Sequence, residues 1–350
     1  MAEVEIGIGK SGRRAYGLDD IAIVPSRRTR NPDAVDLAWQ LDAFAFKLPF
    51  LSSAIDSVAS PSTVVELGRL GGCGVLDLEG LWTRYDDPEP LLDEVGELPE
   101  DKAASRLDEL YAQPVDPGLV GRRIREIKDA GVVSCAAVSP PRTEALAQEI
   151  LKAELDLLVI HGRVVSAEHV SRTREPLNLK RFIRSLPMPV VVGGCTSYQA
   201  ALHLMRTGAA GVLVGVGRGG AERTRQELGV GVAMATAIAD ARGARMRHLD
   251  ETGVYCHVIA DGTLVNGGDI AKAVACGADA VMLGAPLAAA AEAPGRGFHW
   301  SKGGPPVAVA REGSLEEVVG RLASGLRTSM ATTGYETLKE FQKAEVVVHA

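Results

Sequence analysis

Short apolar runs alternate with longer amphipathic stretches from Leu48 to about residue 290. Each apolar run lacks polar alternation and closes on a Gly, Ser or Asp, which is typical of strands that are covered on both faces. Eight such runs predict strands at 49–53, 74–77, 132–138, 155–160, 189–192, 211–214, 257–260 and 280–283.

The stretches between these runs carry apolar residues at helical spacing. They predict helices at 62–70, 120–129, 145–152, 179–186, 198–206, 233–245 and 268–276. Several end in a glycine just before the next apolar run, as in RTGAAG and KDAGVV, and a glycine there is typical of a helix C-cap. Eight β–α repeats with buried strands indicate a parallel (β/α)8 TIM barrel, and an open, doubly wound α/β sheet is the alternative.

The pattern indicates one barrel domain with flanking segments. Residues 1–47 are expected to form an N-terminal arm and lead-in segment, and residues 48–290 the barrel core. The acidic, proline-bearing interval at about 79–131 is interpreted as an insertion with room for short helices but not for a second large domain. Residues 291–350 are expected to pack on the barrel as a C-terminal segment.

Composition narrows the class of protein further. The 350-residue chain is 46% hydrophobic and 24% charged, as expected of a globular protein. Its net charge of −7 argues against nucleic acid as the main partner. No apolar run approaches the roughly 18 residues of a membrane span, and the acidic start MAEVEIGIGKSG does not resemble a signal peptide, so a cytoplasmic location is expected. The five cysteines occur singly, so reduced thiols and no metal site are expected.

Two glycine-rich stretches resemble nucleotide-binding motifs without fulfilling them. The stretch 211–224, GVLVGVGRGGAERT, is interpreted as a strand, a glycine-dense loop and a polar turn, and it contains GxGxxG. A Rossmann site would need this loop in the first βαβ unit and an acid ending the second strand, but Asp240 lies within an apolar, helical run. The stretch IGIGKS lacks the first glycine of a P-loop, because Val4 stands there, and a flexible arm without a preceding strand is expected.

On a TIM barrel the chemistry lies at the carboxyl ends of the strands. The residues predicted at those ends are Ser52, Ser53, Asp56, Asp77, His161, Gly193, Gly194, Cys195, the loop 215–224, Asp261, Gly262 and Gly284. Glycines after the last three strands would let backbone N–H groups approach an anion, so a phosphorylated small molecule is predicted. Each residue alone also fits a plain role: Asp261 a cap, His161 a loop residue, and Cys195 a small core residue.

Ordered segments along the chain resemble the IMP dehydrogenase/GMP reductase family, within it the short bacterial IMP dehydrogenase-related branch. They are GLDDIAIVPS, LPFLSSAIDSVAS, VVVGGCTSYQAALHLMRTGAAGVLVGVG, GVGVAMATAIADA, HVIADGTLVNGGDIAKAVACGADAVMLGAPLA, EAPGRG and SMATTGY. The resemblance implies a (β/α)8 barrel, usually tetrameric, that binds a purine nucleotide and uses NAD(P). The interval 79–131 is too short for the CBS-domain pair of many family dehydrogenases.

The resemblance also assigns roles to residues of this chain. The family loop GxGSxCTT carries a cysteine that attacks purine C2, and Glu222 stands at that position, with Thr224 matching the catalytic threonine. The implied substrate-binding residues are Ser53, Ile55, Gly217, Gly219, Gly220, Asp261, Gly262 and Gly284, and the candidate cofactor-binding residues are His161, Gly162 and Cys195. Gly220 and Ala285 stand where the family has serines, and residues 298–314 lack the long flap that carries the reductase glutamate.

Three functions are compatible with these features. The chain is a purine-nucleotide oxidoreductase of the family, or a barrel that performs a cysteine-independent reaction on a modified purine nucleotide, or a non-catalytic nucleotide-binding or regulatory paralogue. A carboxylate is a weak nucleophile compared with a thiolate, so Glu222 argues against the standard reaction. The expected ligand is IMP, GMP, XMP or a modified analogue, and Arg218, Arg223 and Arg225 are candidates to replace the lost phosphate contacts.

Overall fold

Eight parallel strands form the centre of the computed structural model, which describes residues 3–172, 176–216, 221–302 and 304–349, without the side chains of 221–223. The strands are β1 (Phe50–Ser52), β2 (Leu76–Asp77), β3 (Cys135–Val138), β4 (Leu157–His161), β5 (Val190–Cys195), β6 (Gly211–Val214), β7 (His257–Asp261) and β8 (Ala280–Leu283). Each predicted apolar run overlaps one of these strands, and β4, β5 and β7 extend one to three residues further, so the predicted strand set is confirmed.

The strands follow one another around a closed ring. Their hydrogen-bonded order is β1, β8, β7, β6, β5, β4, β3, β2. The ring is completed just before β2, where Cys73 pairs in parallel with Leu51 of β1. Cys73 N donates to Phe50 O at 2.9 Å, and Ser52 N donates to Cys73 O at 3.0 Å. Sequential parallel order with ring closure is that of the predicted (β/α)8 barrel, and it excludes the open sheet.

The barrel strands are apolar throughout because both of their faces are covered. Successive residues of a strand point to opposite faces, yet Leu158 and Val159 of β4 are both fully buried. One face fills the barrel interior and the other packs under the surrounding helices. This packing is the reason that the sequence contains apolar runs without polar alternation, from which buried strands were predicted.

Helices surround the barrel and flank it. They are α1 (Pro61–Arg69), α2 (Glu89–Glu97), α3 (Glu100–Ala112), α4 (Pro117–Asp129), α5 (Thr143–Lys152), α6 (Leu179–Ser185), α7 (Tyr198–Met205), α8 (Ala221–Leu228), α9 (Met234–Thr252), α10 (Gly267–Cys276), α11 (Ala285–Ala288), α12 (Leu315–Thr332) and α13 (Leu338–Phe341). Short 3-10 helices occupy Pro32–Ala34 and Leu81–Thr83. The interval 79–131 thus contains α2, α3 and α4.

Two helices differ from the sequence expectation. The polar turn expected at the end of 211–224 is instead the first turn of α8, because AERTRQEL consists largely of good helix formers. Helix α9 runs past the predicted end at 245 to Thr252, where Gly253 adopts the left-handed conformation with φ of 72°. Gly253 is the first glycine able to end that helix as a C-cap, since Gly243 continues as helix.

The flanking segments form small antiparallel pairs. The prediction of a flexible arm is wrong, because Glu3–Gly7 and Lys10–Arg13 form a β-hairpin. The turn of this hairpin contains Gly9, which has φ of 74°. A second hairpin joins Trp39–Leu41 to Phe44–Phe46. Further pairs join Ile21–Ile23 to Val346–Val348 and Phe298–His299 to Val307–Ala308. The last of these places His299 and Trp300 at the same end of the barrel as the loop that follows β1.

Candidate active site

His161 and Asp261 meet across the mouth of the barrel. His161 ends β4 and Asp261 ends β7, and His161 Nε2 lies 3.0 Å from Asp261 Oδ2. Their side chains are 4% and 12% exposed, so the pair lies at the bottom of the mouth. Strands β5 and β6 lie between β4 and β7 in the ring. Two candidate residues that are a hundred positions apart in sequence are therefore neighbours in space.

Glycines allow the ends of β5, β6 and β7 to approach one another. A Cβ on Gly194 would lie 2.3 Å from Gly215 O, and a Cβ on Gly215 would lie 1.5 Å from Asp261 O. Both distances are shorter than any real carbon contact, so neither position accepts another residue. A Cβ on Gly262 would lie 2.9 Å from the Met234 Cε atom. These glycines serve close packing of the backbone around Asp261.

Cys195 and Gly162, both predicted to bind a cofactor, lie in different surroundings. Cys195 is buried, and its thiol donates to Leu213 O at 3.5 Å. Burial raises the pKa of the Cys195 thiol to about 12, so the thiol remains protonated at neutral pH. Gly162 follows β4 and lines a cavity of about 400 Å³, together with Pro140 and Leu177.

A buried carboxyl group follows β1. Asp56 is 2% exposed, and its Oδ2 atom accepts a hydrogen bond of 2.7 Å from the Tyr111 hydroxyl. The Leu81 N–H lies 3.0 Å from both carboxyl oxygens. Burial and the negative charge of Asp77 raise the pKa of Asp56 to about 7, although the hydrogen bonds from Tyr111 and Leu81 and the more distant charge of Arg84 oppose the shift. A group that exchanges its proton near neutral pH therefore lies beside the mouth.

Three separate segments are joined through Tyr111. The Trp300 Nε1–H donates to the Tyr111 hydroxyl oxygen at 3.2 Å, and that hydroxyl donates to Asp56. We call the trio of Asp56, Tyr111 and Trp300 the Tyr111 latch. It links the loop after β1, helix α3 of the insertion, and the segment after β8. Sequence reasoning missed Tyr111 and Trp300, since they follow Asp56 by 55 and 244 positions and belong to no local motif.

His299 lies beside the latch and was also missed. Its Nδ1 atom lies 3.1 Å from Ser57 Oγ, and burial holds the pKa of the imidazole below its ordinary value. A Cβ on Gly284 would lie 3.3 Å from Ser53 Oγ and 3.6 Å from His299 Nε2. Ser53 and His299 therefore border the same position, where the absence of a Cβ on residue 284 avoids a tight contact with Ser53. The histidine that follows EAPGRGF was the available sequence signal.

The remaining predicted residues divide between described and undescribed parts of the chain. Ile55 after β1 and Thr224 in α8 are buried. Gly217, Gly219 and Gly220 lie outside the described residues, as does Arg218, and so do the side chains of Glu222 and Arg223. Arg225 is exposed and lines a cavity of about 800 Å³, with Arg13, Gly215, Met234 and Asn266 among its other wall residues. That volume is within the range of small-molecule sites, roughly 300–1,000 Å³.

Two absences hold for the part of the chain that the structure describes. No group of three or more His, Cys, Asp or Glu side chains there is arranged to hold a metal ion. No helix there is long and apolar enough to cross a membrane.

Comparison with known proteins gives consistent results. Residues 15–304 match the family model described as the IMP dehydrogenase/GMP reductase domain. The chain is 48% identical to an uncharacterized oxidoreductase of Mycolicibacterium smegmatis, with 99% of each chain covered. It is 25% identical to an inosine-5′-monophosphate dehydrogenase of Methanocaldococcus jannaschii, over 96% of this chain and 93% of that one. A crystal structure of an IMP dehydrogenase/GMP reductase-like protein from Corynebacterium glutamicum matches with a TM-score of 0.93 and 44% identity, covering 99% and 98% of the two chains.

Proposed function

The chain belongs to the IMP dehydrogenase/GMP reductase family, and we propose that it binds a purine nucleotide at the carboxyl ends of its barrel strands. The observation that carries the proposal is the position of Ser53, Asp261 and Gly284. They stand at the ends of β1, β7 and β8, which are neighbours in the ring. A hydroxyl, a carboxylate and a backbone without a side chain therefore lie on neighbouring strand ends at one part of the mouth, as recognition of a ribose phosphate requires.

If the barrel is catalytic, the proposed reaction class is a redox step at the purine with NAD(P). When bound, the nicotinamide would accept or donate the hydride. The cavity of about 400 Å³ beside Gly162 has the proline and leucine walls that suit an aromatic ring, and Ser139 and His169 supply polar groups there. Those residues would hold part of the cofactor against the β3 and β4 side of the mouth.

Glu222 limits what this reaction can be. Addition of a thiolate to purine C2 needs a cysteine at position 222, and a carboxylate is a poor substitute for it. Cys195 is no replacement, because burial keeps its thiol protonated. The proposal is therefore a nucleotide-binding member of the family whose standard turnover is lost. Either a changed reaction on a modified purine nucleotide or a purely binding, regulatory role would use the same pocket.

Calorimetric titration with IMP, GMP and XMP tests the proposal, followed by cofactor absorbance with each compound that binds. The Glu222→Cys variant is assayed beside the natural protein. Micromolar binding without turnover, and turnover in Glu222→Cys, is the expected result. Turnover by the natural protein would contradict the role given to Glu222, and absence of binding to every purine nucleotide would contradict the proposed ligand.

The family resemblance supports two further proposals. We infer a homotetramer in solution and a cytoplasmic location. Light scattering coupled to gel filtration tests the first, and a mass of one chain, 36.8 kDa, would contradict it. Cell fractionation tests the second.

A further inference from the structure

The place above Gly284 has two hydrogen-bonding side chains on its border. Ser53 Oγ and His299 Nε2 lie 3.3 and 3.6 Å from the point where a Cβ on residue 284 would stand. The Gly284 backbone follows β8 directly. In TIM barrels, phosphate groups frequently bind at the loops that follow the seventh and eighth strands. The two side chains therefore face the part of the mouth where this fold accommodates a phosphate.

The hydrogen bonds of Ser57 are the basis on which we assign the tautomer of His299. Ser57 Oγ donates to Trp300 O at 3.2 Å and accepts from Trp300 N at 3.2 Å. With the single hydroxyl proton directed to Trp300 O, we assign His299 Nδ1–H as the donor in the 3.1 Å contact with Ser57 Oγ. The neutral ring is left with a lone pair on Nε2, and Nε2 makes no hydrogen bond within the described residues.

Charged side chains in the adjoining segments are engaged elsewhere. Asp56 accepts from Tyr111, Lys302 lies over the Tyr111 ring, Arg296 pairs with Glu89 and Asp93, and Glu292 accepts from the Leu315 N–H. Burial is the cause that lowers the pKa of His299 in the absence of a ligand. A phosphate dianion has only acceptor oxygens, so it favours a protonated His299 that donates from both nitrogens.

We propose that His299 binds the phosphate group of the ligand over Gly284, together with Ser53, and takes up a proton when it does so. This rests on the proposed function, since it identifies a residue of the same purine-nucleotide pocket. It would also compensate for the loss of the family's two loop serines, where Gly220 and Ala285 stand in this chain. A charge-assisted hydrogen bond from an imidazolium is stronger than one from a serine hydroxyl.

The first experiment compares a nucleotide with its nucleoside. Binding of GMP and guanosine is measured by calorimetry for the natural protein, for His299→Ala, and for His203→Ala, a control at an exposed histidine of α7. His299→Ala is expected to weaken GMP binding about tenfold or more and to leave guanosine binding within about twofold. An equal loss for both compounds, or no loss for GMP, would overturn the proposal.

The second experiment measures the proton. Titrations of GMP at pH 7 in buffers of different ionisation enthalpy report proton uptake, which is expected in the natural protein and in His203→Ala. The glutamine in His299→Gln can donate a hydrogen bond but cannot titrate. This variant is therefore expected to retain part of the affinity for GMP and to lose the proton uptake that depends on His299. Identical uptake in His299→Gln and the natural protein would overturn the proposal.

A third measurement separates this inference from the proposed function. If no purine compound binds, the ring signal of His299 is followed by NMR against pH, with and without inorganic phosphate, and assigned through its absence in His299→Ala. A rise in the pKa of His299 with phosphate would support a phosphate site in a protein whose ligand is not a purine nucleotide. An unchanged pKa would overturn the site itself.

Discussion

Asp56 and Asp279 are aspartates that are equally buried at opposite ends of the barrel, yet their proton affinities differ greatly. They are 2% and 3% exposed. Asp56 follows β1 at the mouth, whereas Asp279 immediately precedes β8 at the closed end. The pKa of Asp56 is raised to about 7, and that of Asp279 is lowered to about 2.

The partners of each carboxylate explain the difference. At Asp279, burial raises the pKa, but the nearby cations Arg245 and Lys339 outweigh it, with N–O distances of 2.7 and 2.8 Å. At Asp56 the partners are a hydroxyl and an N–H, and no cation of the described residues lies within ion-pair distance. At the closed end the carboxylate is paired with two cations, and Lys339 joins helix α13 to the barrel there. At the mouth, the Asp56 carboxyl group has no ion-pair partner among the described residues, and such unpaired carboxyl groups are common at functional sites.

These shifts have opposite consequences for stability. Above the ordinary value of 3.8, Asp279 contributes stability that is lost as pH falls towards about 2. Asp56 binds its proton more tightly in the folded state. The contribution of Asp56 to the free energy of unfolding therefore becomes unfavourable as pH rises from 3.8 through about 7, and it stays constant above that pH.

The largest expected effect comes from removing one of the two cations at the closed end. Arg245→Met leaves buried Asp279 with Lys339 as its remaining cation and without the guanidinium hydrogen bond, and we expect the free energy of unfolding to fall by about 1.5–3 kcal/mol. Arg247→Met is the matched control on the same helix, because its pair with Glu251 is exposed to solvent and a much smaller loss is expected there. Urea unfolding of both variants measures the difference. Equal losses would show that the closed end is not stabilised in this way.

The next effect concerns the mouth. Asp56→Asn removes the titrating group. In the natural protein this group lowers the free energy of unfolding as pH rises from about 4 to 7, and in the variant this fall should be smaller by roughly 1–3 kcal/mol. Unfolding midpoints measured from pH 4 to 8 for both proteins provide the test. A variant with the same pH dependence as the natural protein would contradict the raised pKa of Asp56.

Tyr111→Phe tests the latch, with a smaller effect. The change removes the donor to Asp56 and leaves the Trp300 N–H without its acceptor, so stability should fall by about 1–3 kcal/mol. Purine-nucleotide affinity should also fall, because Trp300 positions Ser57 and thereby His299. Tyr85→Phe is the control, since the Tyr85 hydroxyl donates to Leu110 O and not to Asp56. A similar affinity in Tyr111→Phe and Tyr85→Phe would exclude a role for the latch in binding.

The smallest effect is expected at Cys195. Cys195→Ala should leave nucleotide affinity and any cofactor turnover within about twofold, with a stability loss of about 1 kcal/mol for the smaller side chain. Calorimetry and cofactor absorbance measure both. Loss of turnover in this variant would identify Cys195 as a reacting thiol.

Local patterns made the barrel predictable and long-range contacts made the latch unpredictable. The eight strands were visible because burial on both faces imposes apolar runs, as at Leu158 and Val159. Asp261 and His161 were identified as strand-end residues, but their pairing depends on the ring closing. Tyr111 and Trp300 carry no local signal, since their role exists only where the insertion and the segment after β8 meet Asp56. The same limit applies to Arg245 and Lys339, which reach Asp279 from separate helices.

Purine-nucleotide binding at the mouth is tested most directly by one comparison of variants. GMP and IMP are titrated by calorimetry into the natural protein, Asp261→Ala at the mouth, and Asp250→Ala, a control at an exposed position of α9. The account predicts a Kd on the order of micromolar for the natural protein and for Asp250→Ala, and at least a tenfold weaker one for Asp261→Ala. Equal affinity in all three proteins, or no binding to any of them, would contradict it.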